Sequence, residues 1–237
     1  MTLRPSIELV GMTNACLLSG GKDSTLALHK VIRMGIKIDL LITMVSSSKE
    51  SYMFHYPNVA HTKLQAQALG IRQVFASTEG KKEEELADLK KVLSENGVTL
   101  LVTGATYSRY QGERINEMAK GLGIEHIAPL WHIDPEEELA EINNDFNAII
   151  TSVSAEGFDE SFLGRRIDGE IIARLRELHK KYGINMLFEG GEAESFVLDA
   201  PLFSKRIAIR KARKEWNGNR GMYIIEEAEL EAKRTTR

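Results

Sequence analysis

A chain of 237 residues, 43% hydrophobic and 27% charged, is long enough to bury one large core or two modest ones and has the balance of a globular protein. Its net charge of −3 argues against a large basic face, so nucleic acid is not expected as a partner. The single cysteine, Cys16, excludes an internal disulfide, a Cys-x-x-Cys redox pair and a cysteine-rich zinc site; no apolar run reaches membrane-span length and residues 1–14 lack a signal-peptide core, so a cytoplasmic enzyme with no membrane partner is expected.

The first element is a short apolar strand, Ala15-Cys16-Leu17-Leu18. It runs into Ser19-Gly20-Gly21-Lys22-Asp23-Ser24 and then a helical pattern over 25–33. A strand, a Gly-rich turn and a helix N-terminus form an anion-binding arrangement. Glycines let the backbone approach a phosphate, and the helix end offers unpaired N–H groups with partial positive charge. Lys22 adds a full charge, and the serine hydroxyls can donate to phosphate oxygens. The run is not a Walker A loop: Cys16 stands where the first glycine belongs, and Asp23 where the hydroxyl residue belongs. Asp23 makes sense beside polyphosphate through Mg²⁺, or as a residue that caps the helix or orients Lys22.

Further strands are predicted at 36–45, 71–76 and 98–102, and helices at 59–69, 83–93 and 112–122. Gly70 is expected to be a C-cap. Alternating strand and helix units with short connections imply a parallel sheet covered by helices. Ligands then sit at the carboxyl ends of the strands, at loops 19–24, 46–58 and 104–111. Near Pro129-Leu130-Trp131 the pattern changes. An acidic helix at 136–142, strands at 148–153 and 185–188, a helix at 171–182 and two strands at 207–210 and 222–226 predict a second, smaller α/β region. The expected domains are therefore 1–130 and 131–237.

The second unusual run is Phe188-Glu189-Gly190-Gly191-Glu192-Ala193-Glu194-Ser195. Carboxylates on a Gly-Gly turn can hold a cation, accept a proton from an amine or position a polar substrate; solvated acids before a buried strand are the plain alternative.

The loop at 19–24 matches the SGGxDS signature of the PP-loop pyrophosphatases. Together with Glu189-Gly190-Gly191-Glu192, Asp199-Ala200-Pro201-Leu202-Phe203, Ser51-Tyr52-Met53-Phe54-His55, Leu163-Gly164-Arg165 and Gly104-Ala105, the chain resembles the diphthine–ammonia ligase family. The resemblance implies a HUP/PP-loop parallel-sheet domain followed by a smaller α/β region. It implies ATP-dependent amidation of diphthine on translation elongation factor 2 with ammonium, through an acyl-adenylate, with Mg²⁺ as companion ion. Ser19, Gly20, Gly21, Lys22 and Ser24 would hold the pyrophosphate end of ATP, Met44 would touch adenine, and Gly104 and Ala105 would leave room for AMP. Lys22, Asp23, Glu189 and Glu192 would be catalytic, Asp23 the metal ligand, and Tyr52, His55, Arg165 and Glu194 substrate-binding. A homo-oligomer is compatible with this reading. Rival readings are a PP-loop tRNA-modifying enzyme and a non-catalytic ATP-binding regulator.

Overall fold

Strands β1 (Thr13–Leu17), β2 (Leu40–Ser46), β3 (Arg72–Thr78), β4 (Val98–Val102) and β5 (Glu125–Ile127) form one parallel sheet in the order β3-β2-β1-β4-β5. The structure, a computed structural model, describes residues 12–46, 58–78, 82–106 and 109–233. Helices α1 (Lys22–Arg33), α2 (Thr62–Leu69), α3 (Lys82–Glu95) and α4 (Arg109–Gly121) make the crossovers. Both faces of the sheet are covered, which is why its strands read as continuous apolar runs. Ala15, Leu40, Ile42 and Met44 face one layer with Leu89 and Leu93 of α3, whereas Cys16 and Leu41 face the other with Leu26 and Ala27 of α1. Helix α2 ends where expected, at Gly70 in a left-handed conformation with φ +69°.

The second region holds α5 (Pro135–Asp145), α6 (Gly169–Tyr182) and a four-stranded antiparallel sheet ordered β7-β6-β9-β8. Its strands are β6 (Asn147–Val153), β7 (Ala193–Asp199), β8 (Arg206–Trp216) and β9 (Gly221–Glu231). The buried face of α1 is continuous with this region: Leu26, Leu28, Phe146, Phe196 and Phe203 belong to one apolar cluster. A backbone bond from Ser204 N–H to Ala68 O (2.8 Å) ties the segment after β7 to α2.

Three predicted elements differ. Residues 185–188 form a turn rather than a strand: Asn185 Oδ1 accepts from Leu187 N (2.8 Å), Asn185 O accepts from Phe188 N (3.0 Å), and Phe188 takes φ +69°. The strands expected at 207–210 and 222–226 extend into a hairpin with pairing from Arg206↔Glu231 to Trp216↔Gly221. Cross-strand ion pairs of Arg210 with Glu229 (2.7 Å) and Lys211 with Glu226 (2.9 Å) line that extension, so hydrophobic alternation marks only part of it.

Candidate active site

The Gly-rich loop leaves β1 at the carboxyl edge of the parallel sheet and enters α1 through Gly21, whose own side gives no cap. The serines fasten the loop to itself. Ser19 and Ser24 Oγ lie 3.1 Å apart, Ser24 Oγ accepts from Ser19 N (3.3 Å), and Ser24 Oγ donates to Gly21 O (3.2 Å). Gly20 has φ +90°, and a Cβ there would lie 2.8 Å from the Phe196 ring and 2.9 Å from Thr62 Cγ2. Glycine is therefore demanded twice, by conformation and by packing. A Cβ on Gly104 would lie 2.6 Å from Ser24 N and 2.7 Å from Asp23 C. The room that Gly104 leaves is thus filled by the first turn of α1, so the two predicted loops meet directly.

The second motif arrives at the same place. Ser195 Oγ accepts from Lys22 N (3.1 Å), Val197 N donates to Gly20 O (2.9 Å), and Gln65 Nε2 donates to both Gly20 O (3.0 Å) and Val197 O (2.8 Å). The phosphate-type loop is consequently held between the parallel sheet and β7 of the antiparallel one. Ser195 and Gln65 carry no signal in the sequence, since each acts through one loop atom far away along the chain.

Lys22 is completely buried. Its ammonium pairs with Asp23 Oδ1 and, at 3.2 Å, with Glu138 Oε1 from α5; the Phe188 ring centroid lies 5.5 Å away. Burial alone would lower the ammonium's pKa, but Asp23 and Glu138, with Glu189 behind them, outweigh it and hold it above its ordinary value. Burial pushes the Glu138 carboxyl up to about 8, Lys22 opposing and Asp23 adding to the shift. Glu138 Oε2 is buried without a hydrogen bond. In the sequence, residue 138 falls in the acidic helix expected at 136–142 and is not singled out. Its spacing with the buried Leu139 and Ile142 puts it on the apolar stripe of α5, and that was the available signal.

The remaining predicted residues divide. Glu189 contributes to the negative field at Lys22. Glu194 lies on β7 opposite Ser152, half-buried. Glu192, expected as a catalytic carboxylate, has oxygens that accept from Asn185 N (2.8 Å) and Gly190 N (2.8 Å), contacts that hold the turn. Met44 is packed in the core layer on the α3 side, and Ala105 is half-buried beside Gly104. Arg165 makes a half-exposed pair with Glu170 (2.9 Å). Tyr52 and His55 lie outside the described residues. Cys16 is buried in the sheet and its thiol is pushed up to about 12, as suits an inert core residue. Among the described residues no group of three His, Cys, Asp or Glu is placed to hold a metal, and no helix is long and apolar enough to cross a membrane. Asp23, partly exposed at the loop mouth, fits a single contact to an ion carried in by a polyphosphate.

Comparison with known proteins gives a consistent result. A family model described as the diphthamide synthase N-terminal domain matches residues 12–126, and one described as the diphthamide synthase C-terminal domain matches residues 134–230. A diphthine–ammonia ligase of Homo sapiens is 34% identical over 84% of this chain and 83% of its own length, and one of Rattus norvegicus is 35% identical with the same coverage. A diphthine–ammonia ligase of Schizosaccharomyces pombe is 31% identical over 81% of this chain and 35% of its own. Among solved structures, a predicted subunit of a tRNA methyltransferase from Methanocaldococcus jannaschii aligns with a TM-score of 0.46 at 19% identity, over 81% of this chain and 98% of that one. Matched by both domain models and by relatives that share a third of its residues, the chain belongs to the diphthamide synthase family.

Proposed function

We propose that this enzyme is an AMP-forming diphthine–ammonia ligase acting on the diphthine side chain of translation elongation factor 2. The carboxylate oxygen of diphthine attacks the α-phosphorus of ATP, the bond to the β-phosphate oxygen breaks, and pyrophosphate leaves. Ammonia then attacks the acyl carbon, the bond to AMP breaks, and diphthamide remains. Residues 1–130 bind the nucleotide and 131–237 the acceptor.

The observation that carries this reading is the convergence of the Gly-rich loop and β7 at one sheet edge, with Glu189 close enough to act on Lys22. The N–H groups of Asp23 and Ser24 in the first turn of α1 have no intrahelical acceptor by helix geometry and suit a phosphate. Preorganised donors of this kind stabilise charge as the α–β bond breaks. Mg²⁺, held by polyphosphate oxygens and Asp23, would neutralise that charge further. Glu189 and Glu194 give the acceptor region negative charge that suits the quaternary ammonium of diphthine and the incoming ammonium, and Glu189 takes the proton that the attacking amine loses. The basic stretch at 205–214 is paired with Glu226, Glu229 and Glu231 across the hairpin, which disfavours a nucleic-acid acceptor.

The test is mass spectrometry of both products after incubation with ATP, Mg²⁺, ammonium and diphthine-bearing elongation factor 2. AMP formed in step with conversion of carboxylate to amide supports the ligase. AMP without amide moves the search to another carboxylate, and bound ATP with no AMP favours a regulator.

A further inference from the structure

We propose that Glu138 is a positioning residue of the adenylating site: it holds Lys22 inside the fold so that Lys22 orients Asp23 instead of gripping phosphate itself. This rests on the ligase reading and assigns the phosphate-loop lysine a different task within it. Side-chain exposure rises stepwise along the chain of contacts, from 0% at Glu138 to 1% at Lys22 and 29% at Asp23. Only Asp23 opens outward. The Lys22 ammonium is enclosed by two carboxylates and the Phe188 ring, with no surface left for a ligand.

Docking of α5 does not require Glu138. Leu139 and Ile142 are fully buried against the shared core, and Glu141 pairs with Lys30 (2.7 Å) and Arg33 (2.6 Å) farther along α1. A leucine at position 138 would continue the apolar stripe. The chain instead carries a buried acid with Oε2 lacking a hydrogen bond, which is unfavourable for stability. Its compensating contacts are Oε1 to Lys22 (3.2 Å) and the neighbouring Asp23 carboxylate, so the acid is tied to the Lys22–Asp23 pair. Buried ion pairs are often replaceable by apolar residues without loss of fold, so this triad is explained by orientation rather than stability.

The experiment compares wild type, Glu138→Gln, Lys22→Met and the double variant in the coupled AMP and amide assay, with rates normalised to the folded fraction from thermal melts. Glu138→Gln is expected to lower kcat about tenfold or more while changing KM for ATP less than about threefold, because Lys22 does not touch the nucleotide. The double variant should be no slower than Lys22→Met alone if Glu138 acts through Lys22 and not by its direct contact with Asp23. A purely structural role would leave kcat per folded molecule unchanged. Glu138→Gln within about twofold of wild type, or single effects that multiply in the double variant, would overturn the proposal. If Glu138→Gln does not fold, Lys22→Met/Glu138→Met, an apolar replacement of the pair, is compared with Lys22→Met; equal rates support the proposal and a further loss refutes it. A wild type that forms AMP but no amide defeats the ligase reading alone, since AMP formation still reads the variants. A wild type that forms neither defeats both.

Discussion

His29 offers a quantitative test of how the two regions are joined. It is fully buried in α1; its Nδ1 lies 2.8 Å from Thr25 O, and its Nε2 accepts from Leu202 N at 3.1 Å. Accepting at Nε2 requires the neutral ring with its proton on Nδ1. Burial, helped by Arg33 and Lys233, lowers its pKa from 6.5 to about 4. A base whose folded pKa is depressed contributes stability that is fully present above the unfolded value, 6.5, and is lost as pH falls toward 4. Between these limits the loss totals about 3 kcal/mol, of which about 2 kcal/mol falls between pH 7 and pH 5. Glu138 works in the opposite sense over the same range, because a raised carboxyl favours the fold as pH falls below 8. The wild-type curve alone is therefore uninformative, and the difference from a variant is needed. His29→Gln retains an acceptor for Leu202 N but does not titrate. Positions 22 and 29 are about 10 Å apart along the helix axis, so the Glu138 contribution should cancel in that difference. Urea midpoints of both proteins at pH 7, 6 and 5 should show the variant losing about 2 kcal/mol less than wild type over the range. Parallel curves would refute the assignment of a locked neutral ring.

Three further outcomes are expected. Gly104→Ala places a Cβ 2.6 Å from the Ser24 backbone and should destabilise the fold by about 1–3 kcal/mol, read from urea midpoints, with ATP turnover falling because the first turn of α1 is displaced. Glu192→Ala removes the acceptor for the N–H groups of Asn185 and Gly190 and should cost about 1–2 kcal/mol of stability; the pH–rate profile of the folded enzyme should keep its shape, and loss of its acidic limb would instead make Glu192 the base. Cys16 should resist a thiol reagent at pH 8 in the native protein and react at once in urea, since a thiol at about 12 is about one part in ten thousand thiolate.

The parallel sheet was legible because strands buried on both faces, such as 40–44, leave apolar runs, and Gly70 and the loop at 19–24 carry local backbone demands that only certain residues meet. The limits of β8 and β9 were hidden because ion pairs replace apolar alternation along most of the hairpin. Residues 185–188 look strand-like in isolation, yet Phe188 is driven into a left-handed turn as Asn185 and Glu192 capture the surrounding N–H groups. The Gly-rich loop stands out in the sequence, but its supports do not. Glu138, Gln65, Ser195 and His29 matter through contacts across the two regions, and each alone is an ordinary residue on an ordinary helix or strand.

The bond from Val197 N–H to Gly20 O turns that amide into a built-in reporter. Its hydrogen can exchange only when β7 parts from the loop. A nucleotide that tightens the loop should slow exchange at Val197, although the amide sits on the opposite sheet. On the proposed reading, ATP bound by the first region would be felt as rigidity in the second, and the proposed nucleotide and acceptor sites would share one thermodynamic fate.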